Sequence, residues 1–230
     1  PPMAARLGFL RDPKLHFAVG ALSFPLLGWL SWYLTKYAMA QAGAAANATG
    51  QAISEVTTFF NTLCSCGLLP LTSLLTAANQ ARDPRRLLGL IGAGLTVGLV
   101  VGVLGEALLL WAAPSVLLVF ESQQPLLPEA PLLSRVFNAA FACQVLDGAL
   151  VGVLFGLDEH LHVFACTLPL MVVSMGLTCI FLFLVDDLAI LMIAHPINCT
   201  LFMVLLGAKL LTIVRRLHSE KRAGEQPSPR

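Results

Sequence analysis

The residue in this chain best placed to do chemistry is Asp147, which lies inside the apolar run Phe141 to Gly156, FACQVLDGALVGVLFG. Read as a helix, the run sets Gly148, Gly152 and Gly156 on one face, where the missing side chains let a neighbouring helix come close. Asp147 borders that face. An aspartate near the centre of a membrane helix costs about 2.5 to 3.5 kcal/mol on insertion scales. A charge there needs a balance, either a proton on the carboxyl or a sodium ion held with help from nearby oxygens. The alternative is an aspartate that is protonated or hydrogen-bonded and only locks helices together.

Other groups carry weaker signals. Gly94, Gly98, Gly102 and Glu106 recur every four residues along one stripe, so Glu106 is the second candidate for ion or substrate binding. It is expected to lie shallower than Asp147, lining a vestibule or serving packing or an interface. Glu55 is expected at an interface. Asp158, Glu159, His160 and His162 are metal-ligand types, but they fall where a solvated turn is expected, and no metal site is assigned to them. Cys64-Ser65-Cys66 lacks the two-residue spacer of common zinc sites. Asn47-Ala48-Thr49 matches a glycosylation sequon in a short loop close to the membrane, and Asn198-Cys199-Thr200 matches one inside a helix that no transferase could reach. There is no GxSxG, HExxH or glycine-rich phosphate loop, so no enzyme activity is expected and no cofactor beyond a coupling ion, H+ or Na+.

Composition says what must hold these residues. Of 230 residues, 57% are hydrophobic and 12% charged, against roughly 25% charged in a soluble domain. With a mean hydropathy of +0.80, the chain reads as a polytopic membrane protein with the lipid bilayer as its solvent. The net charge of +1 carries little information, and no basic patch points to a nucleic-acid partner. The six cysteines all fall in apolar segments without disulfide or paired-ligand spacing, and are read as packing residues.

Six apolar segments are long enough to cross a bilayer, so the expected fold is an all-α bundle of six transmembrane helices over 15–217. A cytoplasmic lead, 1–14, precedes them and a disordered cytoplasmic tail, 218–230, follows. The spacing predicts spans near 15–39, with a kink at Pro25, and near 52–78, interrupted at Cys66-Gly67 and Pro70. An Ala- and Gly-rich loop joins these two. Further spans are expected near 87–113, ended by Pro114, near 132–157, from 161 to about 185, and from 188 to about 214 with a bend at Pro196. Eleven of the fourteen basic residues then fall on one side, with the N-terminus, the 79–86 loop NQARDPRR, the 158–162 turn and the C-terminus. The positive-inside rule places both termini in the cytoplasm, or in the stroma for a plastid membrane.

Four strings carry a family resemblance: the Gln51-Ala-Ile entry to the second helix; Gly67 to Ala81 leading into Asp83-Pro-Arg-Arg; Val119-Phe-Glu-Ser122; and, most specific, Val145-Leu-Asp-Gly-Ala-Leu-Val-Gly152. Together they resemble the multidrug and toxic compound extrusion (MATE) transporters, in particular the DinF-like branch that includes plant and algal plastid members. The resemblance implies the C-terminal six-helix lobe of a twelve-helix secondary antiporter, which exports cationic or amphipathic organic compounds against protons or sodium ions. It also implies a partner for this chain, either the N-terminal lobe or a second chain. Asp147 would then lie on the tenth helix of the full transporter, where members with a cation site in this lobe carry an aspartate. Such members also use an acid on the seventh helix, and Gly20 to Pro25 has none. Coupling through an acid of the other lobe therefore stays open. So does a reading from a different class, a truncated paralogue that does not transport and acts as a membrane interaction subunit.

Overall fold

A computed structural model describes residues 30, 33–66, 68–184 and 187–225. Among them every regular element is an α-helix. Among the described residues, four helical spans are long and apolar enough to cross a membrane, or five if a bent pair counts as one. Most of the first expected span, including Pro25, lies outside the described residues; its visible end is α1, residues 33–41.

Gly43 ends α1 at a φ of +111°, a left-handed conformation suited to a residue without a Cβ. The next helix, α2 (Ala44–Cys66), begins at once. The expected Ala- and Gly-rich loop is therefore mostly helix, because alanine is the strongest helix former and nothing between Ala44 and Gly50 breaks the ladder. The predicted interruption appears as a bend between two helices, with Gly67 itself outside the described residues and Pro70 in the first turn of the second. α2 ends at Cys66, α3 (Leu69–Gln80) follows with its proline in the first turn, where a missing N–H costs no hydrogen bond, and the two are inclined by 40°.

Asp83 caps α4 (Pro84–Glu121), accepting from the backbone N–H groups of Arg85 and Arg86 at 3.1 Å. Pro114 does not end this helix, which runs on for two more turns. An interior proline removes one backbone hydrogen bond, but the flanking Ala112 to Phe120 is almost wholly apolar, and in lipid a helix is the conformation that satisfies the remaining backbone. The following connection accordingly shrinks to residues 122–129.

The fourth expected span is broken. α5 (Ala130–Phe137) and α6 (Phe141–Gly156) are separated by Asn138 to Ala140. At 16 residues α6 would rise about 24 Å, short of a roughly 30 Å hydrocarbon core, so it needs α5 to cross. Asn138 is buried in the break and its side-chain amide is satisfied: it accepts from Thr57 Oγ1 at 2.8 Å and donates to the Ser134 carbonyl at 2.9 Å.

α7 (His160–Phe183) and α8 (Leu188–Glu225) complete the set. α8 passes through Pro196 and extends well beyond the expected end near Val214, so the part of the predicted disordered tail that is described is helical. Leu217 is buried there, and Arg216 pairs with Glu220 one turn on at 3.7 Å.

Half of the most apolar window of Ala130–Gly156 is buried, against 28% for α4, 33% for α7 and 17% for α8, which makes the α5–α6 span the centre of the bundle. Around it α4 and α7 expose large apolar side chains such as Val100, Leu104, Trp111 and Val172, as a lipid-facing surface does. Asn79 meets Asp158 at 3.4 Å and Glu159 meets Lys209 at 2.9 Å, which brings the α3–α4 turn, the α6–α7 turn and the later part of α8 to one end. Arg82, Arg85 and Arg86 belong to that end. At the other, the Leu127 N–H donates to Thr49 Oγ1 at 2.8 Å.

Candidate functional site

Three backbones meet tightly around α6, and glycines set the distances. A Cβ on Gly98 would lie 2.9 Å from the Ala149 Cβ, and one on Gly102 would lie 2.9 Å from the Ala142 carbonyl oxygen, so α4 lies directly on α6. From the other side, a Cβ on Gly152 would reach Thr72 Oγ1 at 3.0 Å and one on Gly156 the Leu75 Cβ at 2.6 Å, which seats α3. Gly94 faces Leu71 of α3 just as closely. Five of the six expected packing glycines thus mark close approaches. Gly148 does not: it is exposed, and only Ser65 Oγ, at 3.9 Å, comes near its Cβ position. A four-residue step on a helix advances about 40° beyond a full turn, so over eight residues the stripe has rotated away from α3.

Asp147 is 7% exposed, and its Oδ1 is buried with no hydrogen-bond partner among the described residues. A helix-locking aspartate would direct its oxygens at donors on a neighbouring helix. Here one oxygen remains available to a proton or a cation.

Glu106 sits elsewhere and does something else. Its Oε2 accepts the Ala142 N–H at 2.8 Å. That amide is in the first turn of α6, whose N-cap residue, Ala140, offers no side-chain cap. Glu106 therefore supplies from α4 the acceptor that the broken span lacks, and sets a carboxylate at the positive end of the α6 dipole. The meeting point is five residues before Asp147, about 7 to 8 Å along the axis. Gly105, rather than Glu106, continues the buried stripe.

One turn before Asp147, at Gln144, α6 meets a polar group of α8 that sequence reasoning missed. His195 of α8 stacks on Phe137 with ring centroids 4.2 Å apart and planes inclined by 7°. Its Nε2 lies 3.3 Å from Gln144 Oε1, one turn before Asp147, and 3.7 Å from Cys199 Sγ. Asn198, one turn on, donates to Ser174 Oγ of α7 and keeps a buried Oδ1 without a partner among the described residues. The signal was there as three polar residues, His195, Asn198 and Thr200, crossing an apolar helix at Pro196.

The remaining candidates are accounted for structurally. Glu55 is exposed and accepts from Gln51 Nε2 at 2.8 Å. Asp158, at a φ of 63°, and His160 meet at 3.7 Å within the α6–α7 turn, and no three metal-ligand residues converge among the described residues. All six cysteines are free thiols. The Asn47 sequon lies in α2 rather than in a loop, with Thr49 buried and its hydroxyl occupied by Leu127. No protein family, curated protein or solved structure matches the chain.

Proposed function

We propose that this chain forms one lobe of a secondary active antiporter, with Asp147 exchanging the coupling proton or sodium ion, or meeting a cationic substrate. The observation that carries this reading is the Oδ1 of Asp147 on the central helix, buried and without a hydrogen-bond partner among the described residues. Its two neighbouring packing faces set the context. Glycine contacts hold α4 and α3 against α6, so the carboxyl is positioned by backbone rather than by flexible side chains. The break at Asn138 divides the crossing helix, as in transporters whose sites lie near discontinuous helices.

The resemblance of Val145 to Gly152 to the MATE transporters supports the same reading and suggests an organic, amphipathic or cationic substrate. A single lobe cannot enclose a central path, so a second lobe is part of this proposal, supplied by further sequence or by another chain, with alternating access arising from the two rocking against each other. Both termini then lie on the basic, cytoplasmic or stromal side. The test is flux in proteoliposomes containing the chain together with its second lobe, driven by a pH or sodium gradient. Asp147→Asn is expected to abolish the gradient-driven component, and unchanged coupled flux would remove Asp147 from the mechanism.

A further inference from the structure

The apolar interior is divided by depth. At the non-basic end Met39 of α1, Ile53 of α2, Leu117 of α4, Leu133 of α5, Phe181 of α7 and Met192 of α8 belong to one packed cluster. The cluster next inward holds Ala113 of α4 with Phe141 and Val145 of α6. A third, towards the basic end, holds Leu206 and Leu210 of α8.

The edge of the outer cluster coincides with a discontinuity in three spans. On α4, Pro114 falls between Ala113 and Leu117. The break from Asn138 to Ala140 falls between Leu133 and Phe141, and on α8 Pro196 follows Met192. A proline inside a helix removes one backbone hydrogen bond and crowds the preceding turn, and three residues between helices carry no ladder, so each point bends more easily than the helix around it. Of the described part of the bundle, α1 packs into the outer cluster alone and α7 reaches it with its last turn. α2 runs through unbroken, with Ile53 outside the boundary and Val56 inside it. Soft points at one depth in three spans let the outer part turn as a body, with the unbroken helix as its pivot.

One side chain grips both sides of this boundary. His195, immediately before Pro196, stacks on Phe137, the last residue of α5, with ring centroids 4.2 Å apart. Its Nε2 lies 3.3 Å from Gln144 Oε1 in the first turn of α6. With that oxygen as acceptor, Nε2 carries the hydrogen. Asn138 meanwhile ties the break to Thr57 on the pivot.

We infer that the bundle hinges at Pro114, Asn138 to Ala140 and Pro196, its non-basic end swinging as one body to open and close the approach to Asp147, and that His195 is the positioning residue that holds it shut. The hinge stands on the packing alone. Its use as a gate rests on the role proposed for Asp147, which lies six residues, about 9 Å, inward of the start of α6.

The test measures distances in the full chain in lipid nanodiscs by double electron–electron resonance. Spin labels are carried on ketone-bearing amino acids so that the native cysteines stay untouched. One label replaces Leu132 of the outer body and the other Val204 of the inner one, both exposed. Two distances are expected, the second at about a few per cent in wild type. His195→Ala loses the stack and the hydrogen bond together, which is expected to raise the second population about five- to thirtyfold relative to the first. His195→Phe keeps the stack and His195→Gln the hydrogen bond, so each is expected to restore part of the wild-type ratio. Gln144→Leu removes the same hydrogen bond from the other side and is expected to shift the ratio in the same direction. A control pair at Leu104 and Val204, both on the inner body, is expected not to move. Distances that stay as in wild type in His195→Ala and Gln144→Leu would overturn the proposal. Equal changes in the control pair would also overturn it, because the whole bundle would then have loosened. No flux or ion enters this measurement, so a failure of Asp147 in transport would leave its outcome as predicted.

Discussion

Replacing Gly102 by alanine tests the packing that positions the site, because two opposing effects have to be compared there. An alanine in a helix interior is favoured over glycine by about 1 kcal/mol. At Gly102 the new Cβ would lie 2.9 Å from the Ala142 carbonyl oxygen and 3.2 Å from its Cα, and both are backbone atoms of α6 that no rotamer change can move aside. Overpacking of this kind costs about 1 to 3 kcal/mol, so Gly102→Ala is expected to destabilise by up to about 2 kcal/mol. Gly92→Ala is the matched control on the same helix. Nothing lies within 4 Å of its Cβ, so only the propensity gain remains and the variant is expected to stabilise by up to about 1 kcal/mol. The assay is equilibrium unfolding in mixed detergent–lipid micelles, followed by far-UV circular dichroism and by tryptophan fluorescence to check for a single transition. Equal shifts of the same sign for the two variants would refute the claim that α4 and α6 meet backbone to backbone at Gly102.

Glu106→Ala is expected to destabilise by about 1 to 3 kcal/mol, because it leaves the first-turn Ala142 N–H of α6 without its acceptor, and the double variant with Gly102→Ala should depart from additivity in the same unfolding assay, since both act on Ala142. Asp147→Asn should leave the unfolding midpoint unchanged or raise it, because no hydrogen bond to Oδ1 is lost; a loss above about 1 kcal/mol would favour the helix-locking role. Asp83→Ala removes the acceptor for two N–H groups at the start of α4 and is expected to cost about 1 kcal/mol, read out as faster amide exchange at Arg85 and Arg86.

How much of this was legible in the sequence varies with the kind of signal. Apolar length and the Gly67 and Pro70 signals show in local composition, and the α2–α3 bend lies where they fall. Pro114 misled because its local rule assumes that water can take up the freed backbone groups, whereas the apolar residues beyond it continue the helix. The break at Asn138 was invisible for the opposite reason: neither proline nor glycine marks it, and the amide is held by Thr57, 81 residues away in sequence. The same long-range dependence hid the role of Glu106. Its four-residue spacing after Gly102 suggested a shared stripe, but the partner that defines it is an amide on another helix. Asp147 stood out because an isolated acid in an apolar run is conspicuous on its own. Gln144 and His195 acquire meaning only when α6 and α8 are brought side by side.

The claim at the centre of this account is that the Asp147 carboxyl exchanges a proton or a cation within the bundle, and infrared difference spectroscopy of the full chain in lipid bilayers reads that carboxyl directly. On stepping pH or sodium concentration, the account predicts a change in a carboxyl C=O band that disappears in Asp147→Asn and survives in Glu106→Gln. A spectrum whose ion-induced carboxyl changes are identical in wild type and Asp147→Asn would contradict it.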